Sequence, residues 1–403
     1  MSTRLPPGDI AAQLTSEIPS GVPTGTRPPA GASVAVSAPG LRWATAAGHA
    51  RLAGDGVPAS PMTPHTHHDL ASVTKVAATV PTIMRLASER QLSLDDTVGR
   101  HIAAFTRDGK GNITLRDLLL HRGGLWEWQP LYLTTTDPTD ALRAAAELPL
   151  RYQPGSGRHY SDIGFMLLGS IISTVAGMPL DAAVRQLVSE PLGLSSTRFG
   201  HPGGDDVAAS SFGDRTERRM IDSGEPYPVS ARSSEFSGWR QEPLVGEAND
   251  GNAFHAFGGI AGHAGLFSTS QDLLVLAEAF SNFRDHESLW SAEIVGEFFA
   301  EGPDAGQSLG FRRYRMAVGP QTMTVLGHTG FVGCAIGFVP ERNIAVALAS
   351  NRLLTHGTPV PTDWLWQQTL NAAGRLIHEL SDIATPEFPA SRRPANHRSA
   401  RQS

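Results

Sequence analysis

A single cysteine, Cys334, excludes an internal disulfide, and a lone thiol of this kind reads as a small buried hydrophobe. Lysine is nearly missing too. Only Lys75 and Lys110 occur, so almost all of the positive charge is arginine. No basic run is long enough to follow a phosphate backbone, and the formal net charge is -6, so nucleic acid is not the expected partner. No segment approaches the ~20 apolar residues of a membrane span. The opening MSTRLPPGDIAAQLTSEIPS lacks the ~7–15-residue apolar stretch of a secretory signal. These absences lead to the expectation of a cytoplasmic protein with no membrane partner. No cofactor or nucleotide motif is present. The run His65-Thr66-His67-His68-Asp69 contains a His-x-His pair of the kind that binds zinc, but it reads better as a polar loop, and no metal is expected.

What the chain has is the material of an ordinary globular enzyme: 403 residues, 40% hydrophobic and 18% charged. Residues 1–27, rich in proline around a short amphipathic stretch from Asp9 to Ile18, form a lead-in segment. GASVAVSAPGLRWATAAG predicts two strands joined at Pro39-Gly40. SVTKVAATVPTIMRLASER carries Val76, Val80, Ile83 and Ala87 at helical spacing, a helix of about five turns with Pro81 as a bend. ITLRDLLLHRGG predicts a short helix begun at Thr114 and stopped at Gly123-Gly124. SDIGFMLLGSIISTVAG and PLDAAVRQLVSEPLGL are helical by the same test. Residues 201–250 have no period and fit either a lid over a binding site or a loosely ordered insertion. TMTVLGHTG, CAIGFVP and IAVALASN are three short strands, followed by a helix from about Pro361 to Leu380, and the Pro/Arg-rich tail 385–403 reads as disordered. Strands at both ends with helices between predict a mixed α/β (α+β) fold. One antiparallel sheet, built from N- and C-terminal strands, is flanked by helices in a single domain over 28–384, with a mostly helical insertion at about 100–255.

Three separated features carry chemistry together. Ser72-Val73-Thr74-Lys75 opens a helix, and a spacing of three places the lysine amine beside the serine hydroxyl. In the first turn, free backbone N–H groups and the positive helix end face Ser72. An exposed lysine beside an N-capping serine would give the same four letters, but this chain uses lysine sparingly. Tyr160-Ser161-Asp162 follows the turn Pro154-Gly155-Ser156-Gly157 and opens another helix. A phenol serves as a base only when cations depress its pKa from ~10, and Lys75 is a candidate cation. Gly327-His328-Thr329-Gly330 ends a strand. There Gly330 would let a substrate lie close to the strand edge, and the Phe331 amide could join that of Ser72 as an oxyanion hole.

Ser-x-x-Lys, Tyr-x-Asp and His-Thr-Gly, in that order, resemble the serine β-lactamase and penicillin-binding-protein superfamily, in the branch of class C β-lactamases, DD-peptidases and family VIII esterases. PGSGRHYSDIGFMLLG, EPLGLSSTRF, GEANDGNAFHAFGGIAGHAGLFSTSQDL and GHTGFVGCAIGFVPERNIAVALASNR extend the resemblance over roughly residues 30 to 380. It implies a β-lactamase/transpeptidase-like fold. By position, Ser72 is the nucleophile, Lys75 helps to deprotonate it, and Tyr160 is a general base or proton shuttle. Asp162, His328, Thr329, Gly330 and Phe331 line the substrate pocket. Whether Lys75 or Tyr160 takes the proton stays open at this point.

Two departures bear on the substrate. Asp162 stands where β-lactamases carry an asparagine amide, and an ionised carboxylate only accepts hydrogen bonds. His328 replaces a lysine and carries less charge at neutral pH, which weakens a clamp for a substrate carboxylate. With no export signal in the sequence, these departures point to an esterase or transacylase acting on a small ester or activated amide, in a role that suits secondary metabolism. Water, an alcohol or an amine would be the acceptor. β-Lactamase or D-alanyl-D-alanine carboxypeptidase activity is the alternative. A non-catalytic binding protein of the same fold would have lost its nucleophile or base, whereas Ser72, Lys75 and Tyr160 are all present. His263, in a glycine-rich segment, reads as part of a packed turn beside the site. The oligomeric state is not legible.

Overall fold

The computed structural model describes residues 9–54 and 58–384. The first eight residues and the expected disordered tail at 385–403 lie outside the described residues. Seven strands form the main sheet: β1 (Gly31–Ala38), β2 (Leu41–Arg51), β3 (Ser60–Pro61), β4 (Arg312–Val318), β5 (Gln321–Thr329), β6 (Ala335–Val339) and β7 (Ile344–Ser350). Their order is β4-β5-β6-β7-β1-β2-β3, and every neighbouring pair is antiparallel. The ends of the chain meet where β7 pairs with β1, with Val346 opposite Val36 and Leu348 opposite Val34.

The alternation of side chains along β1 and β7 decides what packs on each face. Val34, Val36, Val346 and Leu348 point to one side and bury against Trp366, Leu370 and Ile377 of α5 (Thr362–Ala384), with Ile10 and Leu14 of α1 (Asp9–Leu14) beside them. Ala35, Ala345, Ala347 and Ala349 point to the other side, toward the larger helical core. Small residues on that face let α4 (Ser270–Ser281) lie close to β7, β6 and β1. The helical part holds α2 (Val80–Ser88) and α3 (Asp162–Ala176). Among the described residues no single helix is long and apolar enough to cross a membrane.

Two elements differ from expectation, and one strand was not anticipated. The helix at Ser72 is not regular: a 3₁₀ turn at Ala71–Val73 leads into a π-helical stretch at Lys75–Thr79 before α2 begins. Pro81, in the first turn of α2, has no N–H to continue the α ladder backward, which suits the wider turn preceding it. The helix begun at Thr114 is capped as expected, with a Thr114–Asp117 capping box, but it spans only Leu115–Leu119, and just past its C-cap Leu120 the chain turns away at His121, which takes a positive φ of 57°. The edge strand β4 has no apolar alternation: Met316 is its one buried residue, and arginines occupy much of the rest, as suits a sheet edge.

Residues 201–250 are built into the fold. Ala209–Phe212 pairs with Pro243–Val245, and a helix runs over Arg215–Ser223. Asp214, nearly fully buried, joins the two sides through Arg240 at 2.7 Å. The helix left no periodic signal because Ile221 is its one buried residue.

Candidate active site

The turn that presents Ser72 is held from below. Ala71 sits at a φ of +44°, in the left-handed region that a side chain occupies at a cost of about 1–3 kcal/mol. The Asp69 carboxylate accepts the Ala71 N–H at 2.8 Å and the Asn249 N–H at 2.6 Å. One buried side chain thus ties the strained turn to the loop across the cleft. Burial pushes the Asp69 carboxyl up to about 6. Of the His-rich run before it, His67 and Thr66 bond to Asp206, and burial pushes buried His68 down to about 4. Among the described residues no group of three side chains is placed to hold a metal ion.

Lys75 lies beneath Ser72 and is fully buried. Its Nζ is 3.0 Å from Ser72 Oγ, 2.6 Å from Asp162 Oδ1 and 3.3 Å from the His263 carbonyl oxygen. Burial opposes its charge, but the Asp162 carboxylate and the Tyr160 phenol outweigh burial and hold Lys75 above the ordinary lysine value. The His263 carbonyl reaches this place because Gly262 crosses Gly169 of α3 at backbone distance. A Cβ on Gly262 would meet the Phe165 carbonyl oxygen at 2.2 Å. The His263 ring turns the other way and bonds to Asp250 at 2.8 Å. His263 is therefore the packed turn that its glycine spacing implied, and its main-chain oxygen also reaches the lysine.

Tyr160 and Asp162 arrive at the N-terminus of α3. Ser161 is the N-cap, accepting from Gly164 N–H at 3.1 Å and donating to the Trp126 carbonyl at 2.7 Å. The Tyr160 ring lies 4.9 Å from Lys75 Nζ, and its phenol interacts with both Lys75 and the Ser72 hydroxyl. Burial raises the phenol above its ordinary value, and Lys75 only partly opposes this. Behind it stands His121, its ring 4.6 Å from the Tyr160 ring and its Nδ1 accepting the Ser161 N–H.

His328 flanks the other side of Tyr160, with ring centroids 5.9 Å apart. Its Nδ1 donates to the Thr329 carbonyl at 2.6 Å, which leaves buried Nε2 as an acceptor with no protein partner. Burial, then the charges of Lys75, Arg312 and Arg158, hold this imidazole well below its ordinary value, so it is neutral. At Gly330 the close approach that requires glycine is to the protein: a Cβ would strike the Leu70 carbonyl at 2.3 Å. The residue lets the end of β5 pack against the Ser72 turn. Phe331 is 42% exposed, and its carbonyl is gripped by buried Arg352 at 2.5 and 3.1 Å.

Ser72, Tyr160, Asp162, His328, Thr329, Gly330 and Phe331 all line one cleft of about 410 Å³, with Lys75 under its floor. The beta-lactamase family profile matches residues 26–370. A protein of Escherichia coli (strain K12), provisionally named a D-alanyl-D-alanine carboxypeptidase, is 33% identical over 319 residues, covering 71% of this chain and 69% of its own. The chain belongs to the beta-lactamase family. Solved structures agree in fold: the D-amino acid amidase of Ochrobactrum anthropi SV3 aligns with a TM-score of 0.64 at 19% identity, covering 93% of this chain and 99% of its own. EstCE1, described as a hydrolase with promiscuous acyltransferase activity, aligns at 0.62 and 22%, covering 86% and 94%.

Within this beta-lactamase-family cleft the structure adds residues that pattern reading missed. Arg158 and Arg312 enter beside His328 and Tyr160, and Glu217 and Asp250 enter from the 201–250 segment. Burial, then the neighbouring Asp250 charge, pushes the Glu217 carboxyl up to about 8. Arg158 stands two residues before Tyr160 and was within reach of inspection. Arg312 and Glu217 were not, because only the fold brings them to the cleft.

Asp69→Ala should lower kcat/KM about 10²-fold, the scale of an ~1 Å misplacement of a reacting group, through release of the Ala71 turn. Steady-state kinetics on a folded variant, checked by circular dichroism, measure this. Unchanged kcat/KM would contradict the role of Asp69 in presenting Ser72.

Proposed function

We propose that the protein is a serine acyl-enzyme hydrolase or acyltransferase that acts on a small ester or activated amide. The observation that carries this reading is buried Lys75 Nζ at 3.0 Å from Ser72 Oγ, which lines a cleft that Tyr160 also enters. Ser72 Oγ attacks the substrate carbonyl carbon, and the backbone amides of Ser72 and Phe331 receive the developing oxyanion. The leaving atom takes a proton as its bond to carbon breaks. Water, an alcohol or an amine then removes the acyl group from Ser72. The half-exposed Phe331 ring, together with Trp128, Met220 and Tyr227, offers apolar surface to the substrate. A small-molecule acyl donor, no nucleic acid partner and a cytoplasmic setting remain the proposed context.

A second reading concerns the leaving group. With His328 neutral, a carboxylate clamp would fall to Arg158 and Arg312. Arg158 donates to a neutral acceptor, Gln307 Oε1 at 2.8 Å, and Arg312 reaches Asp363 only at 3.4 Å. Burial and the adjacent Arg312 hold Arg158 below its ordinary value, so an added anion would relieve Arg158. This pair favours a substrate whose leaving group ends in a carboxylate, as in D-alanyl-D-alanine carboxypeptidase activity. It offsets the weakening that the lysine-to-histidine departure implies.

Ser72→Ala should abolish turnover of an activated ester with the circular dichroism spectrum unchanged. Lys75→Ala and Tyr160→Phe should each slow acylation ~10²–10⁴-fold in rapid-mixing kinetics. A variant at either position that acylates at the wild-type rate contradicts its role. Separately, Arg158→Gln should raise KM for a depsipeptide ending in a D-alanine carboxylate about tenfold or more, the scale of a lost charge-assisted hydrogen bond. KM for a neutral ester should hardly move. Equal effects on both substrates would remove the support for the carboxylate reading.

A further inference from the structure

Lys75 faces Ser72 Oγ, the Asp162 carboxylate and the His263 carbonyl, and two protonation states would fill these contacts. An ammonium would donate one proton to each oxygen. A neutral amine would donate to Asp162 and His263 and turn its lone pair toward the Ser72 hydroxyl, which is the posture of a general base. Charge separates the two. Asp162 is 8% exposed, and its carboxylate is only 2.6 Å from Nζ, a short charge-assisted contact. With an amine at Lys75, that buried carboxylate would lose its counter-charge.

The other groups near Lys75 do not oppose this. Asp250 adds a second negative charge nearby, itself bonded to the His263 ring. Tyr160 is a buried phenol raised above its ordinary value, and His121 and His328 are held neutral. Nothing in this set provides a second cation beside Asp162 to release the lysine proton.

Resting on the acyl-enzyme reading above, we propose that Asp162 is a positioning residue that keeps Lys75 an ammonium throughout acylation, so that the Ser72 proton passes to Tyr160. In this step Ser72 Oγ bonds to the carbonyl carbon and its proton moves to Tyr160 Oη. The phenol's own proton moves to the leaving nitrogen or oxygen, whose bond to the carbonyl carbon breaks. Lys75 donates to Ser72 Oγ throughout and keeps its three protons, and Asp162 stays a carboxylate. The aspartate that replaces the family's asparagine thereby assigns the lysine a fixed charge and the tyrosine the proton traffic.

Two lysines make the test direct. Wild-type protein labelled with [ζ-¹⁵N]lysine should give only two side-chain nitrogen signals, and Lys75 is the one that Ser72→Ala displaces. Its titration is compared with kcat/KM for p-nitrophenyl butyrate against pH. The proposal expects an ammonium signal across the whole active plateau, with proton loss only where activity falls on the alkaline side. An amine signal at a pH where the enzyme is active overturns it. Asp162→Asn should then move the alkaline limb down by about a pH unit or more, since loss of the carboxylate lowers the Lys75 pKa, and Asp162→Glu should restore it in part. An unmoved limb, or an acid limb that moves down with activity retained, as a freed amine base would give, also overturns it. If wild-type protein shows no ester turnover, the acyl-enzyme reading is what fails, and the nitrogen signal still decides the charge on Lys75.

Discussion

The site depends on one buried cation. Removing an ammonium from water costs several kcal/mol even after relaxation, and the cost is tolerable only when hydrogen bonds and an opposite charge replace the lost water. Lys75 meets that condition through parts of the chain far apart in sequence: its own turn, the start of α3 at Asp162, and the His263 segment. Each must be placed to within a few tenths of an ångström. The Ser161 cap fixes where α3 begins, the Gly169–Gly262 crossing lets the His263 backbone come close, and Asp69 fixes the turn that carries Ser72. The sheet closed by β1 and β7 is the frame on which these pieces hang.

The same burial sets the character of the cleft. The imidazoles close to Lys75 are kept uncharged by the dry surroundings and by its field, so His121 and His328 accept hydrogen bonds rather than act as cations. Formal charge in the cleft resides on carboxylates such as Asp162 and Asp250 and on the arginines beside His328. Such a division suits acyl transfer, in which the oxyanion and the leaving atom need directed donors rather than a diffuse field. It also separates the chemistry, common to the family, from the recognition that distinguishes one substrate from another.

Much of this was legible in the sequence where a local physical rule governed the outcome. The alternation in GASVAVSA and the Val, Ile and Ala of IAVALAS marked the two central strands, and the apolar face of SDIGFMLLGSIISTVA marked α3. Ser72, Lys75 and Tyr160 stood out because spacing and the scarcity of lysine marked them. Elements that follow no apolar period were hidden: the arginine-rich edge strand β4 and the polar helix at Arg215–Ser223. Arg312 and Glu217 reach the cleft from those two segments, so the contacts most concerned with the substrate were the least readable. Gly330 was marked as a place where a substrate approaches closely, whereas the approach that requires glycine is to the Leu70 carbonyl, which long-range packing sets.

The central claim is that Ser72, set above a buried Lys75, forms a covalent bond to the acyl group. The most direct measurement is intact mass followed by peptide mapping of wild-type protein quenched milliseconds after mixing with an activated short-chain ester. The account predicts one acyl mass increment, carried by the peptide that contains Ser72 and absent from Ser72→Ala protein. Ester turnover without that adduct under single-turnover conditions, or an adduct on another residue, would contradict it.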